Sequence, residues 1–147
     1  MPEVLDKEVI IDQLIHDIQK KFNSDNLYKH PVKQLLIGSS LDNDFTVYPA
    51  ISLWPFDDPI EKRLMGRTYI CNFIFYADLL IPAGSMQNIK GYKPIFEFEN
   101  DFNRFIRSSD WTYNKHTIWV RSGPFYVGGV HDKIQQTRVE FHVQHIE

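Results

Sequence analysis

Along residues 7 to 22, Ile11, Leu14, Ile15, Ile18 and Phe22 recur at helical spacing, while Asp12, Asp17, Gln19 and Lys20 occupy other faces. The spacing predicts an amphipathic helix, with Asp6 as its cap and Asn23-Ser24-Asp25-Asn26 as its end. After His30-Pro31, the short apolar run Val32 to Ile37, stopped by Gly38, reads as a first strand, with a short helix as the alternative. Asp42-Asn43-Asp44 supplies turn residues, and from Phe45 the residues Phe45, Val47, Pro49, Ile51 and Leu53 share one face at period two. That alternation predicts a second strand, paired to the first as a hairpin. Because proline cannot donate to a ladder, Pro49 would sit on an edge strand or at a bulge.

Residues 54 to 67 contain Pro55, Pro59 and Gly66 among mixed charges and read as an exposed loop. From Tyr69 to Ala77, Tyr69, Cys71, Phe73, Phe75 and Ala77 line one face, and Ile70, Ile74 and Tyr76 make the other nearly as apolar. A strand apolar on both faces is expected to be central and covered on both sides. Residues 82 to 93 form a second loop. Pro94 then opens a helix to about Ser108, with Ile95, Phe98, Phe102, Phe105 and Ile106 inward. Glu97, Glu99 and Asp101 would complement its N-terminal dipole, Arg104 and Arg107 its C-terminal one. Thr117 to Arg121 and Ile134 to Ile146 read as two strands. Between them Ser122-Gly123-Pro124 and Gly128-Gly129 frame a hairpin tip carrying Phe125, Tyr126 and Val127.

The order α-β-β-β-α-β-β predicts an α+β fold, a mainly antiparallel sheet of about four to five strands flanked by two helices. Residues 1 to 147 are the length of one domain, and 43% apolar content with 11 Phe, 7 Tyr and 3 Trp is ample for a core. A net charge of −3 without a basic run disfavours nucleic-acid binding by phosphate neutralisation. Cys71 is the single cysteine, so neither an intrachain disulfide nor a thiolate cluster can form. The acidic start and the absence of a long apolar window predict a chain made in the cytoplasm, soluble and without membrane contact.

Chemistry is harder to find. His142 and His145, three apart in a strand, point to opposite faces and cannot share one ion. Asp57-Asp58 and Glu61-Lys62-Arg63 lack the Glu-x-Lys pattern of one nuclease type, and no nucleophile elbow, phosphate loop or dinucleotide fingerprint occurs. Cys71 reads as a small core residue. The expectation is a protein without enzymatic activity, metal or cofactor. What stands out is apolar material in expected loops: Trp54, Pro55 and Phe56, then Leu64 and Met65, and finally Phe125, Tyr126 and Val127. Three such clusters point to contact surfaces for other protein subunits.

The N-terminal helix, a short strand ending in "LIGSS", a "YPAISLWP" strand, a long aromatic strand, a helix and a final hairpin resemble the tail terminator (tail completion) proteins of long-tailed bacteriophages. Small head-completion and minor tail proteins share related folds. The resemblance implies a homo-oligomeric ring, usually a hexamer, that caps the tail tube, stops its polymerisation and offers a junction to the head or neck protein. It further implies a place in the virion and a lumen through which DNA passes without specific binding. Asp57, Asp58 and Glu61 would then line the lumen, although Lys62, Arg63 and Arg67 share their loop. A head-to-tail interface either closes into a ring or grows into a filament. Two other readings stay open: a small module that binds a peptide by adding a strand at its edge, and a metal-dependent hydrolase or nuclease built on His131, Asp132 and His142.

Overall fold

The apolar stripe from Ile95 to Ile106 is the feature on which the fold is built. In the computed structural model, which describes residues 6–24, 26–38, 45–55, 60–63, 69–84, 89–127 and 133–146, the helix α2 spans Lys93–Arg107 with Pro94 in its first turn. Ile95, Phe98, Phe102, Phe105 and Ile106 are all fully buried. A second helix, α1 (Lys7–Asp17), starts where the Asp6 carboxylate accepts the Val9 N–H at 2.8 Å, and runs on into a π-helical turn, Ile18–Phe22. Its buried residues Ile10, Ile11, Leu14, Ile18 and Phe22 join those of α2 in one core. Phe22 stacks on Tyr28 and meets Phe105 edge-on, with ring centroids at 4.6 and 5.4 Å.

Both helices cover one face of a sheet. Its strands are β1 (Gln34–Ile37), β2 (Ala50–Pro55), β3 (Ile60–Arg63), β4 (Tyr69–Pro82), β5 (Thr117–Val127) and β6 (Ile134–Ile146). The order across the sheet is β1-β2-β4-β6-β5, with short β3 pairing to the start of β4. All pairs are antiparallel except β1 with β2. This is a single-domain α+β fold. Period-two alternation puts Phe73, Phe75, Ala77 and Leu79 of β4 and Val139, Phe141 and Val143 of β6 into the core beneath the helices.

The details depart from the sequence expectation in several places. β1 and β2 are parallel neighbours, not a hairpin. Residues 38 to 49 are long enough for the crossover that a parallel pair needs, and the apolar alternation does not distinguish the two directions. Gly38 ends β1 with φ of 111°, which only glycine adopts without cost, and its N–H bonds to the Leu53 carbonyl at 2.8 Å. β2 begins at Ala50, so Phe45 and Val47 are outside it. Pro49 follows a cis peptide just before the strand, where its missing N–H leaves no ladder bond unmade and its carbonyl accepts the Lys33 N–H at 2.8 Å.

Within the expected loop 54 to 67, Ile60–Arg63 forms β3, because β4 runs from Tyr69 and offers an edge to pair with. β4 continues past Ala77 to Pro82. β5 continues past Arg121 to Val127, so Phe125, Tyr126 and Val127 belong to a strand and not to a hairpin tip. The Gly123-Pro124 pair falls where the register slips between Ser122 and Tyr126, as at a bulge. Finally, among the described residues helices cover β4 on one side only.

Several carboxylates expected at the surface are buried as links. Asp17 accepts bonds from the Thr112 N–H and hydroxyl at 3.0 and 2.7 Å, tying α1 to the segment after α2. Asp101 accepts the Lys29 N–H at 2.9 Å, and Glu99 accepts the Thr137 hydroxyl at 3.1 Å. Helix-dipole complementation therefore does not describe Glu99 and Asp101; each satisfies a donor that the fold would otherwise leave without water. Glu97 does lie outside, paired with Lys29 at 2.9 Å.

Phe141 touches the rings of Phe75, Phe102 and Trp111 and is fully buried. Phe141→Ala is expected to cost about 3–5 kcal/mol, read as a lower urea midpoint with an unchanged m-value.

Candidate functional site

The face of the sheet opposite the helices is assembled by register alone. Ser52, Asp78 and Arg138 form one row across β2, β4 and β6. Trp54, Tyr76, Glu140 and Arg121 form the next, and Ile74, His142 and Trp119 the one after it. Asn72 and Gln144 follow, joined by a hydrogen bond of 3.0 Å that Gln144 Nε2 donates to Asn72 Oδ1. Large rings and charges therefore alternate over a surface that none of the described helices covers.

Its centre is Arg138. The guanidinium donates to Asp78 Oδ1 at 2.7 Å, with a second nitrogen 3.4 Å from Oδ2, and lies 4.7 Å from the centroid of Trp54 and 5.3 Å from that of Tyr76. Trp54 and Tyr76 pack with centroids 4.6 Å apart, and Trp54 Nε1 donates to Asp78 at 3.3 Å. A planar cation that is bidentate on one side and stacked on the other suits arginine and no other residue. Asp78 is 0% exposed, so its charge is desolvated and held by these partners.

Around this stack the face becomes wetter. Glu140 bonds His142 Nε2 at 2.8 Å, and the His142 ring meets Trp119 edge-on at 4.6 Å. Burial and the neighbouring Glu140 carboxylate, which also accepts a hydrogen bond from the phenol, push the Tyr76 hydroxyl above the ordinary tyrosine range; Arg138 and Arg121 oppose the shift. Trp119 is 41% exposed and Ile146, at the rim, 58%.

Of the residues singled out in the sequence, Trp54 and Pro55 end β2, and Trp54 stands in the aromatic stack. Phe125, Tyr126 and Val127 are in β5, Tyr126 opposite Thr137 and Val127 opposite Gln136. Glu61 is in β3, opposite Cys71. Phe56, Asp57, Asp58, Leu64, Met65, His131 and Asp132 lie outside the described residues. Sequence reasoning missed Ile74, Tyr76, Asp78, Trp119, Arg121, Arg138 and Glu140 as parts of one surface. Arg138, Glu140, His142 and Gln144 alternate in the sequence with Thr137, Val139, Phe141 and Val143, but only the register brings Trp54 and Tyr76 beside them.

Among the described residues no group of three or more His, Cys, Asp or Glu is placed to hold a metal ion. Cys71 is buried in the covered face. No protein-family model matches the chain, and no curated protein matches it.

Two outcomes follow from this geometry. Arg138→Ala leaves the buried Asp78 without its cation and is expected to cost about 3–5 kcal/mol, while Arg138→Met combined with Asp78→Leu recovers most of that loss in a denaturation cycle. In an ultraviolet titration Tyr76 is expected to ionise above the ordinary tyrosine range, and Glu140→Gln to move it back down. Since the phenol's folded pKa is the raised one, its stabilising effect is complete below the unfolded pKa and is lost as pH rises through the folded value.

Proposed function

We propose that this chain is a structural assembly subunit, in the form that its resemblance to tail terminator proteins suggests: one member of a ring, hexameric, that caps a phage tail tube, ends its polymerisation and joins it to the head or neck. It is made in the host cytoplasm, works in the virion without catalysis or cofactor, and lets DNA pass through its lumen without specific binding. The observation that carries the assembly part of this reading is the open face of the sheet. Trp54 and Tyr76 share one row there, Ile74 stands in the next and Ile146 two rows further on, interleaved with Arg138, Glu140 and His142. Aromatic and arginine side chains gathered on one sheet face that no described helix covers are the composition of a subunit contact.

Ring geometry enters through the resemblance and through the physics of closure. The candidate contacts Phe56, Leu64 and Met65 and the lumen candidates Asp57, Asp58 and Glu61 remain part of the proposal on that basis. A small protein-binding module is the second reading, favoured by β5 ending the sheet order.

Light scattering across a concentration series is the test. A discrete oligomer near six subunits is expected, and the double variant Ile74→Asp with Ile146→Asp is expected to yield a folded monomer. Wild-type protein that stays monomeric at every concentration overturns the ring and leaves the binding module.

A further inference from the structure

β5 is the last strand in the sheet order, and among the described residues no strand lies beyond it. Its outward backbone groups can be located from one contact. Arg107, in the last turn of α2, donates through Nη2 to the Val120 carbonyl at 3.3 Å. Val120 is opposite Phe141 in the register, and a carbonyl met by an arginine of α2 points away from β6. In an antiparallel pair the N–H and C=O of one residue point the same way, so the Val120 N–H also faces the free edge.

A furrow of about 410 Å³ runs beside this edge, lined by Arg107, Asn114, Thr117, Ile118, Trp119 and Val120. At Arg107 it adjoins a hollow of about 570 Å³ that includes Asn103 and Arg104, and at Ile118 one of about 260 Å³ that includes Lys115 and His116. Ile118 is 50% exposed and Trp119 41%. No aspartate or glutamate is among the described residues lining the three hollows, whereas Arg104, Arg107 and Lys115 are. The register slips by one residue between Thr117 and Trp119, which leaves Ile118 as an extra residue on the edge.

We infer that the β5 edge is a docking site for an extended, acidic segment of a protein partner, which adds to the sheet as a further strand. Backbone groups of the incoming segment meet those of Val120, its apolar side chains cover Ile118 and Trp119, and its carboxylates meet Arg104, Arg107 and Lys115. Arg107 is the gatekeeper. In the free protein its guanidinium blunts the edge by occupying the Val120 carbonyl, a common protection against indiscriminate strand pairing. An acidic partner releases it, because the partner's N–H takes over the carbonyl while a carboxylate takes the guanidinium. This site meets the open face at Trp119 but is built on the backbone edge of β5, and it does not depend on the ring being correct.

The test uses the full chain and three octapeptides that alternate valine with glutamate, glutamine or lysine, read by amide hydrogen exchange and by titration. The glutamate peptide is expected to slow exchange of the Val120 amide and to bind at least about tenfold tighter than the lysine peptide. Arg107→Glu, on an exposed turn and checked for an unchanged melting temperature, is expected to abolish or reverse that preference. Unchanged exchange in β5 with all three peptides at millimolar concentration overturns the proposal, as does equal binding of the glutamate and lysine peptides. A Val120 amide already protected without peptide, and increasingly so with protein concentration, also overturns it by assigning the edge to a second copy. Because light scattering reports the ring and hydrogen exchange reports this edge, either reading can fail without the other.

Discussion

The antiparallel register between β4 and β6 determines most of what this molecule is. It runs unbroken from Ile70 opposite Ile146 to Pro82 opposite Ile134. Because side chains alternate strictly, a slip of one residue would move Phe75, Ala77 and Leu79 out of the core and put Tyr76 and Asp78 under the helices. The same register places Arg138 beside Asp78 and Glu140 beside Tyr76. Core and open face are therefore two consequences of one pairing, and neither can be changed without the other. The long strands give this pairing its extent, while β2 and β5 on either side widen it into a platform.

The helices are held to that platform by polar links as well as by apolar packing. Asp17, Glu99 and Asp101 each join segments far apart in the chain, and Asn23 clamps the chain ahead of β1 by donating to the Val32 carbonyl at 2.9 Å and accepting its N–H at 2.7 Å. A buried carboxylate that accepts backbone or hydroxyl donors is costly to leave unsatisfied, so each such link penalises alternative packings of the same apolar residues. Leu, Ile and Phe alone would allow α1 to slide along its stripe. The Asp17 to Thr112 pair of bonds does not.

How much of this was legible in the sequence varies with the range of the interactions involved. Both helices could be read because their determinants are local: the stripe of Ile95, Phe98, Phe102, Phe105 and Ile106, Pro94 in the first turn, and Asp6 as a cap. The α+β class and the long strands β4 and β6 were legible for the same reason. Strand direction was not, since alternation from Val32 to Leu53 is the same for a hairpin and for a parallel pair. Gly123-Pro124 carries turn chemistry but sits within a strand, where the shift in β5·β6 register accommodates it. The burial of Glu99 and Asp101 depends on Thr137 and Lys29, partners far away in the chain, which composition does not reveal. The open face was hidden in the same way. Trp54, Tyr76 and Arg138 come from three strands, and only their register makes them neighbours.

The two surfaces differ in how they handle exposure, and that difference bears on what each can do. On the open face the buried carboxylate of Asp78 is already paired with Arg138, and that arginine lies against Trp54 and Tyr76. Little reorganisation is needed before another surface packs there, so shape and apolar area decide the outcome. At the β5 edge the Val120 carbonyl is held only by a side chain, and the charged residues among the described lining of the hollows are basic. Contact there requires an arginine to leave a carbonyl, which makes charge the first criterion and apolar fit the second. A preorganised aromatic platform suits a permanent neighbour, because its ordering cost is met during folding. A guarded edge suits a partner that must be told apart from others, because a wrong partner leaves Arg107 and the Val120 carbonyl competing with it. If both proposals hold, one sheet presents a face suited to assembly and an edge suited to selection.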